Sequence, residues 1–316
     1  MSDINISIMS DIGSNTTIKD KNGQAIVLGM STKDMTEREK IAVVTGSSSG
    51  IGFETSLLLA KNGFRTYATV RDLDKAKAIK EISYKAELPI TVMELDVTND
   101  KSVSDAIDKI VNEKSERVDV LVNNAGYGQG GALEDDSMDE IKSLFETNLF
   151  GAIRVMKAVL PIMRKQRGGT IVNVSSMGGR IAFPLGSAYH GTKFALEGVS
   201  ESVRYETEPF GIKVVLIEPG VIASNFLRNA KLAQKTVEPS SPYAPMLQTY
   251  VKAATRTYDQ ATAPEEVAKV ILKTVTIDNP DLRYVVGNDA IQMLEARKAM
   301  SDLEFGRLVK QRLLAQ

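Results

Sequence analysis

The chain has 316 residues, 43% of them hydrophobic and 25% charged, the balance of a soluble globular protein with length for one large α/β domain or two small ones. It has no cysteine, which excludes disulfides, thiolate metal sites and cysteine nucleophiles, and a single histidine, His190, which excludes two-histidine zinc sites and leaves any Ser-His-Asp hydrolase dependent on that imidazole. Lys plus Arg number 39 against 40 Asp plus Glu, a net charge of −1 that leaves no bulk footprint for nucleic acid, and no run of about 18 apolar residues marks a membrane span, so a cytoplasmic location is expected.

Residues 1–38 are rich in Ser, Asp, Asn, Thr, Lys and Gly and, apart from the apolar run Ala25-Ile26-Val27-Leu28, hold no sustained period. That composition predicts a mobile N-terminal arm. From Ile41 onward, short β-branched runs at 41–45, 65–70, 90–95, 118–122, 170–174 and 213–217 alternate with segments of helical period, the first from about Gly50. Strands apolar throughout and separated by helices predict a parallel sheet covered on both faces, and right-handed crossovers make it a doubly wound α/β fold. The helices show buried faces as stripes, Val103, Ile107, Ile110 and Val111 in one and Ile141, Leu144 and Phe145 in another. A Pro- and Ser-bearing stretch at 237–245 reads as an excursion from the sheet. A helix over 264–274, a run at 283–286 and a last helix after Asp289 bring the chain back. The organisation expected is the arm, one domain over 39–287 and a helical extension at 288–316.

The first strand runs directly into Gly46-Ser47-Ser48-Ser49-Gly50-Ile51-Gly52 and an amphipathic helix. Glycines let backbone turn sharply and approach a pyrophosphate, and a helix N-terminus offers free N–H groups at the positive end of its dipole. The segment reads as a phosphate cradle, with an ordinary tight turn as the alternative. The second strand ends Thr69-Val70-Arg71-Asp72, where a dinucleotide fold approaches the adenosine ribose. Val70 stands where a carboxylate would select a free 2′-hydroxyl, and the Arg71 guanidinium can pair with a 2′-phosphate. NADP(H) is therefore expected in preference to NAD(H), although Asp72 directly after keeps NAD(H) open.

Tyr189 and Lys193 are four apart, on one face of a helix. A phenol with an ordinary pKa of about 10 is a poor proton carrier near neutrality, and a neighbouring ammonium stabilises its phenolate. Other motifs accompany the pair: the loop at 45–52, Asp96-Val97, Asn123-Asn124-Ala125-Gly126, Asn148, Ser176 and Pro219-Gly220, with 28 residues from Asn148 to Ser176 and 13 from Ser176 to Tyr189. With these motifs in this order, the chain over roughly 40–225 resembles the short-chain dehydrogenase/reductase family.

The resemblance implies a Rossmann fold and a role for each matching residue. Tyr189 would be the general acid in carbonyl reduction and the base in alcohol oxidation, a nicotinamide supplying or accepting the hydride. Lys193 would lower the tyrosine pKa and hold the nicotinamide ribose, Ser176 would donate a hydrogen bond to the substrate oxygen, and Asn148 would fix a water linking Lys193 to solvent. The spacing selects Ser176 over its neighbour Ser175, and His190 receives no catalytic role. On the cofactor side, Gly46, Ser48, Ser49, Gly50, Ile51 and Gly52 would cradle phosphate, Arg71 would meet the 2′-phosphate, and Asp96 and Val97 would hold the adenine. Asn123, Ala125 and Gly126 would close the floor, Pro219 and Gly220 would shape the nicotinamide pocket, and Ser224 stands where the family usually has threonine.

The segments 67–73 and 193–198 look most like the branch holding 17β-hydroxysteroid and retinol dehydrogenases, which act on lipophilic alcohols and ketones. Residues 221–258 would form a substrate lid, whose Phe226, Leu227, Tyr243, Met246, Leu247 and Tyr250 either line an apolar pocket or pack the lid onto the domain. The function expected is interconversion of a carbonyl and an alcohol on a lipophilic small molecule. Two other readings compete: a dinucleotide-binding redox sensor without turnover, against which the intact Asn148, Ser176, Tyr189 and Lys193 argue, and serine hydrolysis through His190. As is common in the family, a homo-oligomer is expected.

Overall fold

The computed structural model describes residues 16–19, 25–28, 39–114, 116–258 and 260–314. In the N-terminal segment, β1 (Thr16–Lys19) and β2 (Ala25–Leu28) pair antiparallel, Thr16 opposite Leu28. The remainder of the predicted arm lies outside the described residues.

The larger unit starts at Lys40. Its sheet has seven parallel strands, β3 (Lys40–Val44), β4 (Phe64–Val70), β5 (Ile90–Glu94), β6 (Val120–Asn123), β8 (Gly169–Val174), β9 (Ile212–Pro219) and β11 (Arg283–Val286), in the order β11-β9-β8-β6-β3-β4-β5. The remaining strands, β7 (Gln129–Gly130) and β10 (Lys231–Leu232), form a separate short parallel pair. The helices are α1 (Gly50–Lys61), α2 (Lys77–Lys85), α3 (Asp100–Lys114), α4 (Met138–Phe145), α5 (Gly151–Gln166), α6 (Ser187–Thr207), α7 (Ala244–Tyr258), α8 (Pro264–Thr276), α9 (Asn288–Ala299) and α10 (Asp302–Leu313). The predicted doubly wound fold is the one observed.

Successive residues of a strand point to opposite faces, and both faces are covered. Ile41 and Val43 of β3 belong to a core with Ile107 and Ile110 of α3 and Val155 and Val159 of α5. Ala42 and Val44 belong to another with Leu59 of α1 and Val267 and Ile271 of α8. That two-sided burial is why the strands read as unbroken apolar runs. Strand order reverses between β3 and β6, which opens a crevice beyond their carboxyl ends, the usual place for a ligand in such sheets.

Three elements differ from expectation. β6 begins at Val120, two residues after the predicted run, because the Gln166 amide takes the backbone of Val118, accepting from its N–H at 3.3 Å and donating to its carbonyl at 2.7 Å. The excursion leads into a helix, α7, to which the sequence reading assigned no element. After Asp289 there are two helices: Ser301 stops α9 and opens α10 with a capping box to Glu304. Met293, Leu294, Phe305 and Val309 of these helices pack on Ile181, with Met177 and Phe183 alongside, so the C-terminal extension buttresses the turn after β8. Among the described residues no helix is long and apolar enough to cross a membrane, and no group of three or more His, Asp or Glu could hold a metal.

Candidate active site

A cleft of about 960 Å³ opens at the switch point, and its walls include most of the residues that the motifs singled out. Gly46, Ser48, Ser49, Gly50 and Ile51 line one end of it. Gly50 starts α1 at φ +62°, and a Cβ there would lie 3.2 Å from the Ser224 Cβ across the cleft. No side chain caps α1 and no acid occupies its first turn, so its leading N–H groups stay available to an anion. The residues present thus fit the pyrophosphate of a dinucleotide. Gly52 is tucked behind: a Cβ would stand 2.4 Å from Asn124 Nδ2 and 2.5 Å from the Gly46 carbonyl oxygen.

Asn124 ties this loop down. Its Nδ2 donates to the carbonyls of Thr45 at 2.9 Å and Gly46 at 3.1 Å, and Thr45 Oγ1 accepts the N–H groups of Asn124 and Ala125, both at 3.0 Å. Ala125 and Gly126 line the cleft. Asn123, expected in the floor, turns away into the sheet, where its Nδ2 donates to Asn173 Oδ1 at 2.8 Å. Alternation along β6 makes the difference, since neighbours on a strand face opposite sides.

Where the adenosine ribose was expected, Val70 is buried while Arg71, Asp72 and Lys75 line the wall. Asp72 caps the short turn Leu73–Ala76, its Oδ1 accepting the Asp74 N–H at 3.0 Å. Asp96 and Val97 are also present; Asp96 Oδ1 accepts from the Thr98 N–H and hydroxyl at 2.9 and 2.8 Å, which fixes the carboxyl in place.

Tyr189 and Lys193 project into the cleft from the first turns of α6, and Ser176 from the turn after β8. The Ser176 oxygen accepts the Gly178 N–H at 3.0 Å, and its hydroxyl is also hydrogen-bonded with that of Tyr189. Lys193 Nζ donates to the Val174 carbonyl at 2.8 Å and lies 6.0 Å from the centroid of the Tyr189 ring. Desolvation dominates both groups. Burial pushes the Tyr189 phenol up to about 12, with the Ser176 hydroxyl pulling the other way, and pushes Lys193 down to about 8 against the pull of Glu197. The expected lowering of the tyrosine by Lys193 is therefore overridden: packing removes water from the phenol, and Ser176 is the group that eases its ionisation.

Asn148 sits in a π-helical turn, Glu146–Phe150, between α4 and α5. Both ends of its amide are engaged. Oδ1 accepts the Tyr127 N–H at 3.0 Å, and Nδ2 donates to the Tyr127 carbonyl at 2.9 Å and to Thr192 Oγ1 at 3.4 Å. These bonds pin the loop after Gly126 to α6.

Pro219, Gly220 and Ser224 complete the wall, and Asp289, which no motif flagged, holds their loop by accepting the Val221 N–H at 2.8 Å. Within 221–258, Phe226 lies edge-on to Tyr189 at 6.1 Å, and Leu227, Leu247 and Tyr250 line the cleft. Tyr243 and Met246 do not: the Tyr243 hydroxyl donates to Glu134 Oε2 at 2.8 Å, and Met246 is 37% exposed. Val251, Ala254 and Tyr258 take their place, continuing the Leu247 face of α7 at steps of three and four, a period the sequence carried.

His190 is buried and used structurally. The Phe183 N–H donates to Nε2 at 3.0 Å, so Nδ1 carries the proton and donates to the Gly178 carbonyl at 2.9 Å. With both nitrogens engaged by backbone, the hydrolase reading has no base. His190→Ala is expected to lower stability by about 1–3 kcal/mol, since it leaves the Phe183 N–H and Gly178 carbonyl unpartnered, and to lower kcat far less than a change at Tyr189; chemical denaturation with steady-state kinetics checks both.

The model of the family described as short chain dehydrogenase matches residues 40–235. The chain is 37% identical to a 3-ketodihydrosphingosine reductase of Bacteroides thetaiotaomicron, over 82% of this chain and 91% of that one. It is 35% identical to retinol dehydrogenase 8 of Bos taurus (84% and 87%) and 32% identical to 17-beta-hydroxysteroid dehydrogenase type 1 of Homo sapiens (81% and 80%). Among solved structures, a short-chain dehydrogenase from Streptomyces avermitilis superposes with a TM-score of 0.74 at 31% identity, covering 87% of this chain and 97% of that one. ElxO with NADP bound gives 0.68 at 28%, covering 81% and 100%. The chain belongs to the short-chain dehydrogenase family, as an oxidoreductase of CH–OH and C=O groups in the branch that includes the retinol and 17β-hydroxysteroid dehydrogenases.

Proposed function

We propose that this enzyme prefers NADP(H) and interconverts a carbonyl and an alcohol on a lipophilic small molecule, with Tyr189 as general acid and base. The observation that carries the reading is the meeting of Tyr189, Ser176 and Lys193 in one cleft whose far end is lined by Arg71 and Lys75. A bound dinucleotide supplies or accepts the hydride. In reduction, Tyr189 donates its proton to the carbonyl oxygen, and Ser176 turns its hydroxyl hydrogen from Tyr189 to the same oxygen as charge develops there. Lys193, held at Val174, keeps two further N–H donors for the ribose hydroxyls. The wall formed by Phe226, Leu247, Tyr250 and Val251 suits an apolar body and keeps water from the reacting carbon.

Three observations support the 2′-phosphate preference: Val70 carries no charge, Arg71 faces the cleft, and Asp72 is committed to its cap. ElxO, a relative in structure, binds NADP. Val70→Asp is expected to weaken NADPH by about tenfold to a hundredfold relative to NADH, through repulsion between carboxylate and 2′-phosphate. Fluorescence titration of each dinucleotide checks this, nicotinamide emission being read in a chain that has no tryptophan. Oxidation of NADPH by apolar ketones and aldehydes then tests the reaction itself; binding without turnover of any of them would favour the sensor reading.

A further inference from the structure

Tyr189, Lys193, Glu197 and Glu201 follow one another at steps of four along α6, a single stripe that begins in the cleft and continues behind it. Glu197 is only 5% exposed and Lys193 only 8%. A buried carboxylate one turn beyond a buried ammonium needs a reason, because each alone is expensive to desolvate.

The surroundings supply one. Arg283 of β11 contacts Glu197 Oε2 at 2.9 Å through Nε, Glu201 at 2.8 Å through Nη2 and Glu218 at 3.4 Å through Nε, and Arg180 reaches Glu218 at 3.1 Å. Glu218 is 1% exposed and immediately precedes Pro219-Gly220. Three carboxylates thus face two guanidiniums, and the cluster is one positive charge short of neutral. The next cation along the stripe is Lys193, which among the described residues has no carboxylate within ion-pair distance, its Nζ donating instead to the Val174 carbonyl. Arg283 engages only Oε2 of Glu197; Oε1 is buried without a hydrogen-bond partner. The Cβ that Gly179 lacks would fall 3.0 Å from Glu197 Cγ and 3.1 Å from the Lys193 carbonyl, so glycine there permits the close packing.

We propose that Glu197 is a positioning residue of the active site: clamped by Arg283, it supplies the negative charge that holds Lys193 in its ammonium form beside Tyr189. The consequence for turnover rests on the function proposed above, whereas the charge relation itself is a property of the protein without cofactor. Burial alone would release the Lys193 proton within the working range of an enzyme, and a neutral amine would neither favour the phenolate nor bind ribose oxygens as strongly. Glu197 on α6 acts on Lys193 directly; Arg283 on β11, Glu218 on β9 and Arg180 after β8 are the charged groups clustered behind it, and the Tyr189 ring lies on the cleft side. Removing a negative charge and removing a positive one must therefore move Lys193 in opposite directions.

The test is an NMR titration of cofactor-free protein carrying lysine labelled with ¹³C at Cε, across roughly pH 6 to 10.5, with the Lys193 signal assigned by its loss in Lys193→Arg. In Glu197→Gln the Lys193 midpoint is expected to fall by about one pH unit or more, and in Arg283→Gln to rise. Circular dichroism identifies variants that fold. If Glu197→Gln does not fold, Arg283→Gln decides alone by the same criterion. A midpoint unmoved, or moved in the same direction by both changes, overturns the proposal. Because neither cofactor nor substrate is present, that failure is distinct from failure of the proposed reaction, which would appear as absence of turnover in the unmodified enzyme.

Discussion

Tyr189→Phe is expected to lower kcat for carbonyl reduction by about 10²–10⁴-fold, the usual worth of a positioned general acid, while NADPH affinity is kept. The substitution removes one oxygen and leaves the ring, so the edge contact with Phe226 at 6.1 Å persists. The end of the cleft lined by Gly46 to Arg71, proposed above to hold the dinucleotide, is untouched. The pH dependence carries the sign. Burial pushes the phenol up to about 12, so below that value Tyr189 keeps its proton, and its part in reduction is independent of pH through neutrality. Alcohol oxidation needs the phenolate, so its rate rises with pH, by about tenfold per unit well below the apparent pKa. Since Lys193, pushed down to about 8, loses its proton on the way, the two groups titrate as a pair, and the observed midpoints belong to both. In Tyr189→Phe the rise of oxidation with pH should vanish. Steady-state rates in both directions across the alkaline range, with fluorescence titration of NADPH, check these outcomes; a variant that retained the rise would remove Tyr189 from the acid/base role.

Gly52→Ala is expected to cost about 1–3 kcal/mol of stability and about a hundredfold in NADPH affinity. The added methyl would sit 2.4 Å from Asn124 Nδ2 and 2.5 Å from the Gly46 carbonyl oxygen. Neither neighbour yields easily: the carbonyl is backbone, and Nδ2 is donating to both Thr45 and Gly46. Relief requires the loop from Gly46 to Gly50 to move away from α1, which misaligns the N–H groups that would meet phosphate; losing two such charge-assisted bonds accounts for the hundredfold. The substitution does not alter Tyr189, Ser176 or Lys193, so kcat at saturating NADPH should fall much less than affinity. Thermal denaturation and nicotinamide fluorescence measure the two effects. Unchanged affinity in a folded variant would mean that the loop does not hold the cofactor.

The seven sheet strands and the helix after the glycine loop were legible because their signals are local, short apolar β-branched runs and a period that changes to helical at Gly50. The site was legible to the same extent. Tyr189 and Lys193 are four apart, and the cradle is seven consecutive residues, so spacing alone puts each set together.

What remained hidden depends on partners far apart in the chain. Nothing local distinguishes Asn123 from Asn124; the pleat of β6 turns one into the sheet and the other onto Thr45 and Gly46. Arg283 and Glu197 are 86 residues apart and meet only because β11 joins the sheet beside β9. His190 looked like a spare imidazole until folding placed the Gly178 carbonyl and Phe183 N–H on either side of it. Even the direction of the Tyr189 shift reversed, since a neighbouring ammonium is visible in sequence and desolvation is not. The sequence by itself determined the strands, the glycine loop and the pairing of tyrosine with lysine, because those rest on backbone conformation and spacing. Only the tertiary structure decided which polar groups are buried and what they face, because burial and electrostatic fields sum over every element packed around a group.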